Sequence, residues 1–528
     1  MNHFKVLDVT LRDGGCVNNF NFGQLYMDKI LSALEQSGVD IIEVGYLDQN
    51  KGSVSERTQY INESAIINSI LKSKKKNKMY VAMIDYGKYD IDKLQPATAD
   101  NIDAIRLAFH KENKKDMIAL GRKIIDKGYR LFIQPMVTLR YSDSELLELI
   151  NLVNDNLQDA DCFYIVDSFG EMRPDDMSRL LYLVDHNLLP TMPLGFHSHN
   201  NLQLSYSNAM AMLQFPINRD AIIDSSVMGM GKGAGNLNTE LLLEHLNLFY
   251  GKQYCIEPLL EVMDKVVNQL YNEYRWGYSP EYYLSSTKHC TPSYASYYYN
   301  KHMLPIDQVA ELLGMIKEEK RISFDVNYAE DLYRKYNERK EIDDSSVLAE
   351  LKSELKGKKV LLIAPGKSIG IYNETISEII ENEDVFSIGL NITADFKIDY
   401  LLATRQDVYE IGVNKGISVI APSNVSKGGR GNVKILNYEN WIDYDDATYD
   451  SSADIALNLL DFCEVKEIMF AGFDGFSVDI NQNYADPYLR RPIDTLQAER
   501  RNDHNKKIIC EKRKRGIRIS FITPTKYQ

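Results

Sequence analysis

Short β-branched runs alternate with longer amphipathic stretches through the first half of the chain. Period-two or wholly apolar runs predict strands at Lys5–Leu11, Ile41–Gly45, Tyr80–Ile84, Ile102–Leu107, Leu131–Met136, Phe163–Val166, Leu194–His197 and Ala221–Ser225. Helical spacing of apolar positions marks Leu25–Gln36, Lys114–Lys127, Ser144–Asn156 and Leu202–Leu213 between them. Eight β/α units in about 250 residues is the count of a (β/α)8 TIM barrel. An open doubly wound sheet gives a similar alternation, and the pattern favours the barrel over it.

From about Leu259 to Tyr336 the pattern becomes helical and aromatic-rich, and Asn337–Lys358 is charged and polar, as in a connecting helix or linker. At Lys359 a second strand–turn–helix pattern begins, with VLLIAPGKSIG, DVFSIGLN, DYLLAT, ISVIAP and EIMFAGFDGF. The predicted architecture is therefore α/β throughout. A TIM barrel spans 1–258, a helical extension 259–336, a linker 337–358 and a separate Rossmann-like domain 359–528.

Composition narrows the function classes. The net charge is −14 over 528 residues, which argues against a general binder of nucleic-acid backbone. The basic run from Arg500 to Arg515 reads as a solvated face. Six cysteines without CxxC spacing suit a reducing compartment and give no zinc-ribbon signal. The opening MNHFKVLDVTLRDGG lacks a basic stretch followed by an apolar one, and no apolar run approaches ~20 residues, so a cytoplasmic protein without membrane partners is expected.

Catalytic residues of a barrel sit where strands end and βα loops begin. Arg12-Asp13 follows the first predicted strand, and His197-Ser198-His199 closes the seventh. Residues i and i+2 of an extended chain face the same way, so both imidazoles can meet one ion. A carboxylate and two imidazoles with open positions suit a catalytic divalent ion, and the absence of thiolates from the set favours Mn²⁺ or Mg²⁺ over Zn²⁺. Gly229, Gly231, Gly233 and Gly235 follow the eighth strand, where backbone amides can approach an anion.

LDVTLRDGG, EVG (Glu43–Gly45), VDSFG (Val166–Gly170), GFHSHNN (Gly195–Asn201) and GMGKGAGNLNTE (Gly229–Glu240) occur in one order and spacing. As a set they resemble the HMGL-like, or DRE-TIM metallolyase, superfamily over about residues 4–250. That group includes HMG-CoA lyase, the isopropylmalate and homocitrate synthases, the pyruvate carboxyltransferase domain and 4-hydroxy-2-oxovalerate aldolase. The last branch looks nearest. The resemblance implies metal ligation by Asp13, His197 and His199, and stabilisation by Arg12 of the enolate oxygen of a 2-oxo acid. It places Glu43 with the substrate and Asn236 in the metal shell or the site lining. Tyr278 would correspond to the aldolase branch's active-site tyrosine, with Tyr282 and Tyr283 as alternatives. Pyruvate aldolases carry a histidine base four residues after the motif arginine, where this chain has Cys16. Cys16 is read as packing in or shaping the substrate pocket, with the proton shuttle supplied by a tyrosine, a water or another side chain. The alternative is a thiolate base, which requires the metal and Arg12 to depress the thiol.

The second half is similar to Rossmann-like domains of bacterial surface-glycan proteins, including sialyltransferase-like and pterin-pyrophosphokinase-like members. That likeness implies a nucleotide or nucleotide sugar near Gly366, Lys367, Ser368 and Asp474, in surface-polysaccharide precursor metabolism; the alternative is a fold that has lost its ligand. Gly366-Lys367-Ser368 mimics the end of a Walker loop, but Leu361 stands where its first glycine belongs, which argues against ATP hydrolysis. The expected activity is a metal-dependent aldolase acting on a 2-oxo acid and an aldehyde, in a chain that could form a homo-oligomer. An acetyl-CoA-dependent Claisen acyltransferase and a non-catalytic scaffold or sensor are the alternatives.

Overall fold

The computed structural model describes residues 4–528 except 51–55, 72–73, 76, 218, 302–303, 339–340, 383, 426–431, 442–450, 491–492 and 494. They fall into two compact units, one of 1–296 with 317–324, the other of 297–316 with 325–528. The aromatic-rich stretch expected as a single helical extension is thus divided between them.

The first unit contains, in chain order, β1 (Phe4–Asp8), β2 (Ile41–Leu47), the two-residue β3 (Gln59–Tyr60), β4 (Met79–Asp85), β5 (Ala104–Phe109), β6 (Arg130–Pro135), β7 (Cys162–Asp167), β8 (Leu194–Ser198) and β9 (Ala221–Ser225). All pair in parallel, and β1 pairs with both β9 and β2, which closes eight strands into a TIM barrel with β3 outside the ring. Period two sorts the side chains. Leu7, Ile41, Val81, Ala104, Phe132, Cys162, Tyr164 and Ile222 fill the interior, while the alternate residues pack outward against the helices. Gly195 is required by this layering, because a Cβ there would lie 2.3 Å from the Tyr164 ring. Helix Asp143–Asn156 starts at a capping box of Ser142 and Glu145, and helix Gln24–Ser37 stops at Gly38 with φ 89°.

One boundary differs from the sequence pattern in a way that builds the site. β1 ends at Asp8, not Leu11. The Asp8 carboxylate accepts the Thr10 N–H at 2.9 Å, and the Val9 carbonyl accepts the N–H groups of Arg12, Asp13 and Gly14. The chain turns there, and Arg12-Asp13 sits on the turn at the barrel's carboxyl end.

The second unit holds β10 (Lys359–Ile363), β11 (Phe386–Leu390), β12 (Tyr400–Leu402), β13 (Val419–Pro422), β14 (Val433–Leu436), β15 (Glu467–Ala471) and β16 (Arg518–Phe521). The sheet is parallel, ordered β14-β13-β12-β11-β10-β15-β16, and alternate residues of β10 feed two separate cores. The strand order reverses between β10 and β15. Within the expected linker, Ser345–Leu355 is a helix whose Leu351 and Leu355 are fully buried in one of those cores, while 339–340 lie outside the described residues. Among the described residues no helix is long and apolar enough to cross a membrane.

Candidate metal centre

Asp13 from the β1 turn, His197 near the end of β8 and His199 just beyond it are all buried. Each offers one ligand atom, and the three atoms lie within 4.8 Å of one another. His199 Nδ1 stands 3.9 Å from Asp13 Oδ2, so the two residues could hold one divalent ion together. His197 Nδ1 is 3.0 Å from Asp224 Oδ2, which fixes the tautomer that leaves Nε2 free to ligate.

Asp13 is held from three directions. Its Oδ1 accepts Arg12 Nη1 at 2.8 Å; its Oδ2 accepts Asn236 Nδ2 at 2.8 Å and the Lys232 amide at 3.1 Å. The glycine loop has to pass close for this. A Cβ on Gly231 would lie 2.2 Å from Asn236 Nδ2 and 2.6 Å from Asp13 Oδ2. Burial works to raise the Asp13 carboxyl, but His199 and Arg12 outweigh it and hold it well below the usual carboxylate range. Burial lowers His199 to about 4 even though Asp13 opposes it, so its ring is neutral at pH 7. Both groups are in the protonation state that a cation needs.

Among the described residues, His199 Nδ1, Asn236 Oδ1 and Arg12 Nη2 around Asp13 are buried without a partner. A buried unpaired donor or acceptor costs about 1–3 kcal/mol, and an ion with its substrate would satisfy all three. The donor set is carboxylate, imidazole and amide oxygen, which fits Mn²⁺ or Mg²⁺.

A second layer of residues orients the first. Glu43, grouped with the substrate by the sequence reading, is fully buried behind Arg12 instead. Its Oε2 accepts Arg12 Nε at 2.7 Å and Arg106 Nη1 at 2.6 Å, so it aims the guanidinium. Arg106 also pairs with Asp224, whose Oδ1 accepts the Tyr164 hydroxyl at 3.0 Å. Burial opposes ionisation of Asp224, yet Arg106 and His197 keep its carboxyl lowered. Asp224, Arg106 and Tyr164 lie outside the motifs that mark the site in the sequence, although an arginine inside AIRLAF and an aspartate inside AIIDS are legible as charges within apolar strands.

Cys16 ends a short 3-10 turn at the same mouth, with a solvent-accessible side chain. Crowding by protein atoms pushes its thiol up to about 12, and the Asp13 charge adds to the rise; solvent access tempers the size of that shift and leaves its sign. The site therefore presents a neutral thiol. Tyr46 stacks near Arg12, 5.7 Å from ring centre to guanidinium carbon. Tyr278 is not gathered into this group. It is 59% exposed in the loop ahead of helix Pro280–Thr287.

In the second unit, Gly366 and Asp474 line a cavity of about 200 Å³ at the carboxyl ends of β10 and β15, the reversal point of the sheet. The phosphate cradle expected at Gly366–Ser368 is already filled. Asp474 accepts the Ser368 amide at 2.7 Å and also its hydroxyl, so the atoms that would greet an anion face a carboxylate.

Fold and cluster define the class first: a TIM barrel with a candidate divalent-metal centre at its carboxyl end. The model of the HMGL-like family matches residues 3–250, and the chain belongs to that family. It is 31% identical over 242 residues to 4-hydroxy-2-oxovalerate aldolase 2 of Comamonas testosteroni, covering 45% of this chain and 67% of that protein. Against 4-hydroxy-2-oxovalerate aldolase of Geobacillus genomosp. 3 it is 28% identical, covering 49% and 78%. Among solved structures, the N-terminal domain of a candidate aldolase from Bacteroides vulgatus superposes with a TM-score of 0.50 at 27% identity, covering 58% of this chain and 99% of that one. The carboxyl transferase domain of Rhizobium etli pyruvate carboxylase, solved with oxamate and biotin, gives 0.51 at 11% identity over 67% and 66%, a likeness of fold alone.

Proposed function

We propose that the barrel is a divalent-metal-dependent carbon–carbon lyase, working through the enolate of a 2-oxo acid such as pyruvate and forming or releasing an aldehyde. The names of its relatives support the reaction class. The observation that carries the reading is the set of unpartnered atoms around Asp13: His199 Nδ1, Asn236 Oδ1 and Arg12 Nη2.

Asp13, His197 and His199 would hold the ion, with Asn236 Oδ1 available as a further oxygen. When bound, Mn²⁺ or Mg²⁺ supplies Lewis-acid polarisation of the substrate carbonyl. Arg12 has two of its three nitrogens committed, to Glu43 and Asp13, and presents Nη2 to the oxygen on which enolate charge develops. Because that guanidinium is clamped from behind, little reorganisation is needed when the charge appears. Asp224 fixes the His197 ring, and Arg106 and Tyr164 fix Asp224.

The test is exchange of pyruvate methyl protons with deuterium, followed by NMR without acetyl-CoA. Chelation should abolish exchange, and added Mn²⁺ or Mg²⁺ should restore it. Exchange that needs acetyl-CoA would point to Claisen chemistry, and exchange indifferent to chelation would remove the metal from the account.

A further inference from the structure

The mouth of the barrel contains one more carboxylate that the assignments above leave unused. β4 ends at Asp85, and the alternation that sends Met79 and Val81 into the barrel interior places Asp85 on the same inward face, at the carboxyl end. Asp13 and Asp224 spend both carboxylate oxygens on neighbours, and Glu43 is enclosed behind Arg12 with its Oε2 shared by Arg12 and Arg106. The Asp85 carboxylate has no hydrogen-bond donor among the described residues, although it is only partly exposed. The charges close enough to act on it are Arg12 from the β1 turn, Lys232 from the glycine loop, and Lys88 and Asp48 from the loops after β4 and β2. It is also close enough to act electrically on Cys16 and Tyr46. An unpaired carboxylate at the carboxyl end of the barrel, within the field of Arg12 and Lys232, is placed to move a proton.

We propose that Asp85 is the proton carrier of this site, a role that rests on the lyase reading. In the cleavage direction its carboxylate takes the proton of the substrate hydroxyl. The C–O bond of that carbon becomes a carbonyl, the adjacent C–C bond breaks, and its electron pair passes into the 2-oxo acid enolate beside Arg12. The protonated Asp85 then returns the proton to the enolate carbon, giving a methyl group. One hydroxy-oxo acid yields one 2-oxo acid and one aldehyde, with no further reactant. The hydroxyl oxygen and the enolate carbon are attached to the same carbon, so one carboxylate can reach both without moving far. In the synthetic direction the same proton leaves the methyl group and ends on the new hydroxyl.

The environment suits the task. Burial pushes Asp85 up to about 6, against the pull of Arg12 and Lys232, so both protonation states are accessible near neutral pH. The working base is the carboxylate, so the rate should rise with pH through about 6 and then level.

The experiment follows cleavage of 4-hydroxy-2-oxovalerate as probe, with Mn²⁺, across pH, beside Mn²⁺ binding by the same preparations. Asp85→Asn should bind Mn²⁺ like the wild type, lose at least about 100-fold in kcat and lose the acidic limb. Asp85→Glu should recover part of the rate with a shifted limb, and formate in the buffer should rescue Asp85→Ala, which a purely structural role would not allow. Asp85→Asn within about threefold of wild type, or a limb that survives it and disappears in Cys16→Ser, would overturn the assignment while leaving the lyase reading in place. A metal-loaded wild type that neither cleaves the probe nor exchanges pyruvate protons would instead overturn the lyase reading and the carrier with it.

Discussion

The two units solve the same topological problem in opposite ways. Each gathers polar residues at the carboxyl ends of parallel strands, where ligands meet such sheets. In the barrel those groups are clamped from behind and left open in front. Arg12 leans on Glu43, His197 on Asp224, and Arg12 Nη2, His199 Nδ1 and Asn236 Oδ1 are left without a partner among the described residues. In the second unit the groups at the Gly366 turn close on each other, with Asp474 bonded to both the amide and hydroxyl of Ser368. A glycine turn after a strand is thus weak evidence of a binding site. The informative quantity is whether its donors remain unspent.

The contrast can be broken most strongly behind His197. Asp224→Asn keeps the shape but weakens the anchor of the ring and the balance of Arg106. Ion affinity should fall about 10–100-fold, as read by calorimetry with Mn²⁺. Unchanged affinity would mean that the buried charges behind the site do not serve it. A smaller effect is expected in the second unit. Asp474→Ala removes the acceptor from Ser368 and should cost that unit about 1.5–3 kcal/mol in denaturant unfolding, with Mn²⁺ affinity and pyruvate exchange the same within about twofold. Phosphate or nucleotide binding gained by Asp474→Ala and absent from the wild type would sharpen the comparison, because it would show the closed cradle opened by one substitution.

Much of the barrel was legible because its strands are apolar runs bounded by helical stretches, and because paired histidines two apart on a strand share a face. Less legible was where β1 stops. Val9 and Leu11 continue an apolar alternation, but a side-chain bond from Asp8 to the Thr10 amide turns the chain, and hydropathy carries no trace of such short-range bonds. Glu43 was legible as an acid within the second strand, but its direction was not. Whether a carboxylate faces substrate or clamps an arginine depends on Arg106, 63 positions away. The same limit hid the filled cradle at Ser368, whose partner Asp474 is 106 positions on. The divided aromatic stretch was hidden for a related reason: period and composition report burial and leave open which core receives the side chain.

The most direct test of the central claim is a Mn²⁺ titration of the chelator-treated full chain, read by electron paramagnetic resonance, for wild type, Asp13→Asn and His199→Ala. The account predicts one tight site per chain in the wild type and loss of that site in both variants, with circular dichroism unchanged. A wild type that binds no Mn²⁺ or Mg²⁺, or variants that bind as it does, would contradict the metal centre on which the function proposed here stands.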